Sequence, residues 1–88
     1  MSEDKIQAAI TLGNKAKALL EDETLTKAFA AVEERFIDRW KLSTDATERD
    51  RCWMAINITA QVKDALGLFV SHGSISKSDL DAILAKAA

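Results

Sequence analysis

Apolar residues along this chain recur every three or four positions, which is the spacing of one face of an α-helix. In the first stretch, Ile6, Ile10 and Gly13 share such a face. The pattern predicts helix 1 from Glu3 to about Glu21, with Ser2 as N-cap and acidic residues in the first turn. Because a lone glycine within a helix often marks a close contact or a weak point, Gly13 is read as structural.

Two further stripes predict a long antiparallel pair. Helix 2 runs from about Leu25 to Leu42, with Thr24 as its cap. Helix 3 begins at Ala46 after a link of three residues, so it must fold back along helix 2. Asp45 and Glu48 resemble a capping pair at its start. Helix 3 is expected to reach about Ser71 and to end at Gly73, since glycine favours the position after a helix C-terminus.

The two tryptophans lie on either side of this link, which raises the question of whether they bind a ligand or hold the helices together. In the register that the short link favours, Phe36 faces Trp53 and Trp40 lies beside Arg49. Aromatic contacts of this kind stabilise helix packing, and a cation–π contact between Trp40 and Arg49 fits the same register. We therefore prefer a hairpin clamp to a ligand platform, and its residues are Phe29, Val32, Phe36, Trp40, Trp53 and Ile56.

Helix 3 carries a second apolar face, which predicts a central helix that packs on two sides. A short helix 4 is expected to begin at Ser76, where Ser76 and Asp79 form a capping motif and Ile75 can contact Leu80. Helix 4 is too short to be stable alone in water and must pack against something. The candidate interaction face comprises Met54, Ile58, Val62, Phe69, Leu80 and Leu84.

Composition supports a single helical domain over residues 1–88. The chain has 88 residues, 48% of them hydrophobic, with no proline and three glycines. Proline and glycine both disfavour helix interiors. The fold expected is all-α, with helices 2 and 3 as a long antiparallel hairpin, an N-terminal helix and a short C-terminal helix.

No catalytic, cofactor-binding or metal-binding motif stands out. The one cysteine, Cys52, excludes an internal disulfide. The one histidine, His72, lies about 30 Å further along the same predicted helix, so the two side chains cannot form one site within a chain. His72 is expected at a helix C-terminus, where the dipole favours it, and Cys52 as a small buried hydrophobe. We therefore predict no enzymatic activity and no cofactor.

Charge argues against a nucleic-acid partner. The net charge is −2, and basic and acidic residues are interleaved in every segment rather than gathered into a basic arm. The alternative stays open that four arginines near the predicted hairpin tip contact nucleic acid. The N-terminal sequence resembles neither a signal peptide nor a membrane span, so no membrane partner is expected. The four arginines are Arg35, Arg39, Arg49 and Arg51.

Roughly residues 19–73 resemble a group of small helical proteins encoded by tailed bacteriophages, often in or near virion-morphogenesis genes. Phe36 stands where the group often has tyrosine, and Asp50 follows Arg49 where glutamate is usual. The resemblance implies a phage origin and a non-enzymatic role, and it carries no site residues. The positions that carry it are Leu19-Leu20, Lys27-Ala28-Phe29, Val32-Glu33-Glu34, Phe36-Ile37, Trp40, Thr44, Glu48-Arg49, Trp53, Ile56 and Gly73.

The sequence therefore predicts a small phage protein that acts by protein–protein contact in virion assembly or as a virion or packaging accessory. It is expected to self-associate around helix 3, with Ile58 and Val62 near a twofold axis, and to meet a phage or host protein in the host cytoplasm or the virion. A nucleic-acid-binding packaging or regulatory module and an inhibitor of a host protein remain the alternatives.

Overall fold

The computed structural model describes residues 2–87, and these form three α-helices: α1 (Glu3–Glu21), α2 (Glu23–Leu42) and α3 (Ala46–Ala87). The predicted all-α class is confirmed, and no strand occurs within this range. Packing divides the chain into two units. The α1 unit consists of α1 and the part of α3 from Ala65 onward, and the α2 unit consists of α2 and the part of α3 as far as Asp64.

The N-terminal cap of α1 is the predicted residue, whereas the cap of α2 is not. The α1 helix has the predicted bounds, and the Ser2 hydroxyl accepts a hydrogen bond from the Lys5 backbone N–H at 3.4 Å. The cap of α2 is Asp22 rather than Thr24. Its carboxylate accepts from the Leu25 backbone N–H at 2.7 Å, and a carboxylate at this place also favours the positive end of the helix dipole.

The link between α2 and α3 is held by side-chain hydrogen bonds. Asp45 caps α3 as predicted, because its carboxylate accepts from the Thr47 backbone N–H at 3.2 Å. Glu48 does not complete the capping pair with Asp45. Its carboxylate accepts instead from the Ser43 hydroxyl at 3.1 Å, while that hydroxyl accepts from the Asp45 backbone N–H at 3.2 Å. The Ser43 hydroxyl thus provides a hydrogen-bond partner both for the Glu48 carboxylate and for the Asp45 backbone N–H.

The α3 helix corrects the sequence prediction most. It is one helix of 42 residues, so helix 3 does not end near Ser71 and there is no separate, short helix 4. Gly73 lacks the positive φ of a helix-terminating glycine, and Ser76 is 97% buried within the helix rather than capping a new one. His72 therefore lies inside a helix and not at its C-terminus.

The α1 unit is built on a close crossing of two helices at Gly13 and Gly73. A Cβ atom added to Gly13 would lie 2.8 Å from the Phe69 carbonyl oxygen and 3.0 Å from the Gly73 Cα. A Cβ added to Gly73 would lie 2.9 Å from the Ala9 carbonyl oxygen. The helix backbones therefore touch, as at small-residue crossings where Cα–H groups approach carbonyl oxygens. Ile6, Ala16, Gly13, Gly73 and Ser76 are the buried residues of this unit.

The α2 unit is held by contacts between α2 and the part of α3 that precedes Ala65. The Glu33 carboxylate pairs with the Lys63 ammonium at 2.7 Å. Nearer the link, the Arg49 guanidinium donates to the Trp40 carbonyl oxygen at 2.6 Å. Cys52 is the buried side chain of this unit, 3% exposed, as the sequence predicts for a small hydrophobe.

The glycine crossing yields a test with a built-in control. Replacing Gly13 with alanine places a methyl group against backbone atoms that cannot move independently, so we expect a loss of about 1–3 kcal/mol in the free energy of unfolding. Gly67 also lies in α3, but a Cβ there has no neighbour within 4 Å. Gly67→Ala should therefore stabilise the chain by about 0.5–1 kcal/mol, the ordinary gain in a helix.

Urea denaturation followed by circular dichroism measures both variants on the same helical signal. Opposite signs for the two alanines are the expected result. Equal stabilisation by Gly13→Ala and Gly67→Ala would contradict the close crossing.

Candidate interaction surface

The predicted clamp residues on α2 line two separate hollows of the α2 unit. Phe29 and Val32 share a cleft of about 250 Å³ with Ile58 and Val62. Phe36 borders a more polar cavity together with Cys52. Cys52, Ile58 and Val62 of α3 thus line hollows beside clamp residues of α2, although the sequence predicted other roles for them.

Trp53 lies largely in solvent. It exposes 61% of its surface, whereas Cys52 beside it is buried. Successive residues of an α-helix differ by about 100° in direction, so two neighbours cannot face the same partner helix. Ile56 is half-buried. The contact predicted between Phe36 and Trp53 stays a prediction.

Trp40 and Arg49 meet as the sequence predicts. The Arg49 guanidinium lies 4.1 Å from the centre of the Trp40 ring. The same group donates to the backbone oxygens of Trp40 at 2.6 Å and Ser43 at 3.1 Å. These carbonyls belong to the last turn of α2 and the residue after it, where no further helical N–H is available. The Arg49 guanidinium therefore supplies hydrogen-bond donors to two carbonyl oxygens at the C-terminus of α2.

Three of the arginines proposed as nucleic-acid contacts have aromatic or acidic neighbours. Arg49 is engaged with the end of α2, and Arg39 lies 5.9 Å from the Phe36 ring. Arg39 and Arg51 border a hollow that also contains Asp45 and Glu48. Positive and negative groups thus alternate around it, which opposes the clustering that phosphate binding uses. Arg35 is exposed on α2.

Most of the predicted interaction face is exposed to solvent. In the α2 unit, Met54, Ile58 and Val62 expose 55%, 57% and 47% of their surfaces. In the α1 unit, Phe69 and Leu84 are exposed, whereas Leu80 is half-buried. Leu80 and Leu84 border a hollow of about 260 Å³ with Ile6 of α1. These two leucines therefore also take part in packing within the chain.

One concave surface was not predicted from the sequence. It lies in the α1 unit, on one flank of the glycine crossing, and has a volume of about 680 Å³. We call it the α1/α3 groove. Its walls are almost entirely apolar, and His72 lies among them. The signal in the sequence was the pair Gly13 and Gly73, but only a fold that brings them together reveals it. The groove is lined chiefly by Ala8, Leu12, Leu68, Phe69, His72 and Ile75.

Metal-binding and membrane-spanning features were sought among the described residues. Within residues 2–87, no group of three or more His, Cys, Asp and Glu side chains is placed to hold a metal ion. None of the three helices described is long and apolar enough to cross a membrane. Comparison with protein-family models, curated proteins and solved structures gives no match. The exposed apolar surfaces are therefore the features from which a function can be argued.

The role of Arg49 can be tested against a neighbour of the same type. Lysine cannot reproduce the planar, forked donor of arginine, so Arg49→Lys should lose the paired hydrogen bonds to α2 and about 1–2 kcal/mol of unfolding free energy. Arg51 is exposed, and Arg51→Lys should change stability by less than about 0.5 kcal/mol. Thermal and urea unfolding provide the measurement, and equal effects of the two substitutions would refute the capping role.

Proposed function

We propose that this protein is a non-enzymatic helical module that acts by protein–protein contact and associates with itself. The observation that carries the proposal is the imbalance between buried and exposed apolar residues. Ile6, Ala16 and Cys52 are the hydrophobic residues buried within the described chain, whereas sixteen large hydrophobic residues are exposed. Single exposed apolar residues are ordinary, but contiguous apolar patches indicate a partner surface.

Accessible area supports the same proposal. The chain exposes 6702 Å², whereas a folded monomer of 9.6 kDa exposes about 5,100 Å² by the usual scaling with mass. The excess is roughly 1,600 Å² per chain, and a stable interface of standard size covers about 800 Å² on each partner. The uncovered surface is thus ample for one interface and leaves room for a second.

The hairpin arrangement of α2 with the first part of α3 belongs to the same proposal. The Glu33–Lys63 ion pair and the Arg49–Trp40 contact support an antiparallel course. In that arrangement the cleft containing Phe29, Ile58 and Val62 forms an apolar surface, rimmed by the Glu33–Lys63 pair. An apolar centre with a polar rim is the usual anatomy of an interface.

The biological setting that we propose rests on the resemblance to small phage proteins. A module that associates with itself and offers a second apolar surface fits the assembly of a phage particle or a packaging accessory. The partner on the second surface would be a phage or host protein. The alternating charges around Arg39 and Arg51 give no support to a nucleic-acid partner.

Self-association is tested by the mass of the chain in solution. Sedimentation velocity and light scattering over a wide concentration range should give a multiple of the 9.6 kDa chain mass, with dissociation on dilution. The exposed leucine Leu42, 85% exposed, supplies a control, because Leu42→Glu should leave the mass unchanged. A mass of one chain at every concentration would refute self-association.

A further inference from the structure

We propose that the α1/α3 groove is the surface on which two copies of this chain associate, as a twofold dimer in which the α1 of each copy lies over the α3 of the other. This inference rests on the proposed self-association and names its interface. It differs from the interface expected from the sequence, which was centred on Ile58 and Val62.

The groove offers both a cavity and the side chains to fill one. Ala8 and Ser71 are small and leave space between the helices. Leu68 and Ile75 belong to the same surface and are 69% and 62% exposed. A surface with both features can pack against a copy of itself, since an isologous interface places each residue type opposite its complement. Ile75 of one copy then lies over α1 of the other, beside the space that Ala8 leaves.

Charge selects how the two copies face each other. Lys5 lies three residues before Ala8, and Asp79 lies four residues after Ile75, so each shares the groove-facing side of its helix. Both side chains are exposed, and neither is in an ion pair among the residues described. The groove therefore has a basic edge on α1 and an acidic edge on α3.

The two edges also lie at nearly the same level along the groove. Gly13 of α1 is level with Gly73 of α3 at the crossing, and Ile6 borders the same hollow as Leu80. The two helices thus run in opposite directions. Moving about 12 Å from Gly13 reaches Lys5, and moving about 9 Å from Gly73 reaches Asp79, at 1.5 Å per residue.

A twofold axis parallel to the helices leaves each residue at its own level and exchanges α1 with α3. Lys5 of one copy then stands opposite Asp79 of the second copy, and the pair occurs twice. A twofold axis across the helices would instead stack α1 on α1, so Lys5 would no longer face Asp79 of the second copy. Since complementary charges across an interface fix its orientation, the first arrangement is the one proposed.

A foreign helix or a small apolar molecule would also fit a groove of about 680 Å³, since ligand pockets span about 300–1,000 Å³. Those occupants would not require a basic edge and an acidic edge at nearly the same level. A second copy uses both, and it covers the apolar walls of two grooves at once.

The first experiment compares dissociation constants by sedimentation equilibrium for apolar-to-acidic variants. Leu68→Glu and Ile75→Glu should each weaken the dimer by roughly 100-fold or more, because each places two carboxylates within one apolar interface. Leu42→Glu is the matched control and should leave the dissociation constant unchanged. Circular dichroism of each variant verifies that the helices remain formed.

Val62→Glu separates this inference from the proposed function. A dimer that Val62→Glu dissociates, and that both groove variants leave intact, would overturn the groove as the interface and preserve self-association. A wild-type chain that stays at 9.6 kDa would overturn self-association itself, and with it this inference.

The second experiment exchanges the charges and does not depend on the groove variants folding. Lys5→Glu alone and Asp79→Lys alone each place like charges opposite one another twice in the dimer. Each should weaken association roughly tenfold at low ionic strength, with a smaller effect in high salt. The double variant restores opposite charges and should return to within about threefold of the wild-type dissociation constant.

Mixing the two single variants provides a further readout. A Lys5→Glu chain and an Asp79→Lys chain should prefer each other to themselves, because both contacts of the mixed dimer join opposite charges, whereas each homodimer has two like-charge contacts. Native mass spectrometry distinguishes the species when one chain carries a heavy isotope. A double variant no tighter than the single ones would overturn the proposed arrangement.

Discussion

The contact of Gly13 with Gly73 is the constraint on which the α1 unit depends. Two helices whose Cα atoms touch leave no space between them for large side chains, so the buried residues of the crossing are small apart from Ile6. Larger apolar residues are displaced to the flanks, where Leu12, Phe69 and Ile75 become the walls of a groove. The exposed apolar surface of this unit is therefore a consequence of how closely its helices approach.

The same contact explains why α3 continues through a glycine that the sequence identifies as a helix terminator. Glycine in a helix interior costs about 1 kcal/mol relative to alanine, so its presence at residue 73 requires compensation. Contact with the backbone of α1 around Ala9 and Gly13 provides it. Ser76, three residues on, is buried on the same side. A helix that would be interrupted on its own is continuous because a neighbouring backbone packs on that face.

Features that depend on short-range sequence patterns were predicted correctly. The α1 bounds, the Asp45 cap and the Trp40–Arg49 contact follow from periodicity, capping chemistry and a short link. The end of helix 3 did not follow, because Gly73 has two roles in helices and only the position of α1 decides between them. The α1/α3 groove was not predicted for the same reason, because its two walls are about sixty residues apart in the sequence. Burial of Cys52 rather than Trp53 depends on helix rotation, which a stripe of apolar residues fixes only to within about one position.

In the proposed dimer, the folding stability of the chain depends on its association. A chain that buries so few hydrophobic residues by itself gains little from its own core, and a small domain has only a few kcal/mol to lose. Any contact that exists only in the folded, associated state shifts the folding equilibrium through mass action. The groove would then set the concentration at which the α1 unit is stably formed, while the cleft beside Val62 stays available to a different partner. In such a dimer the concentration of the chain itself would determine how much of the α1 unit is folded.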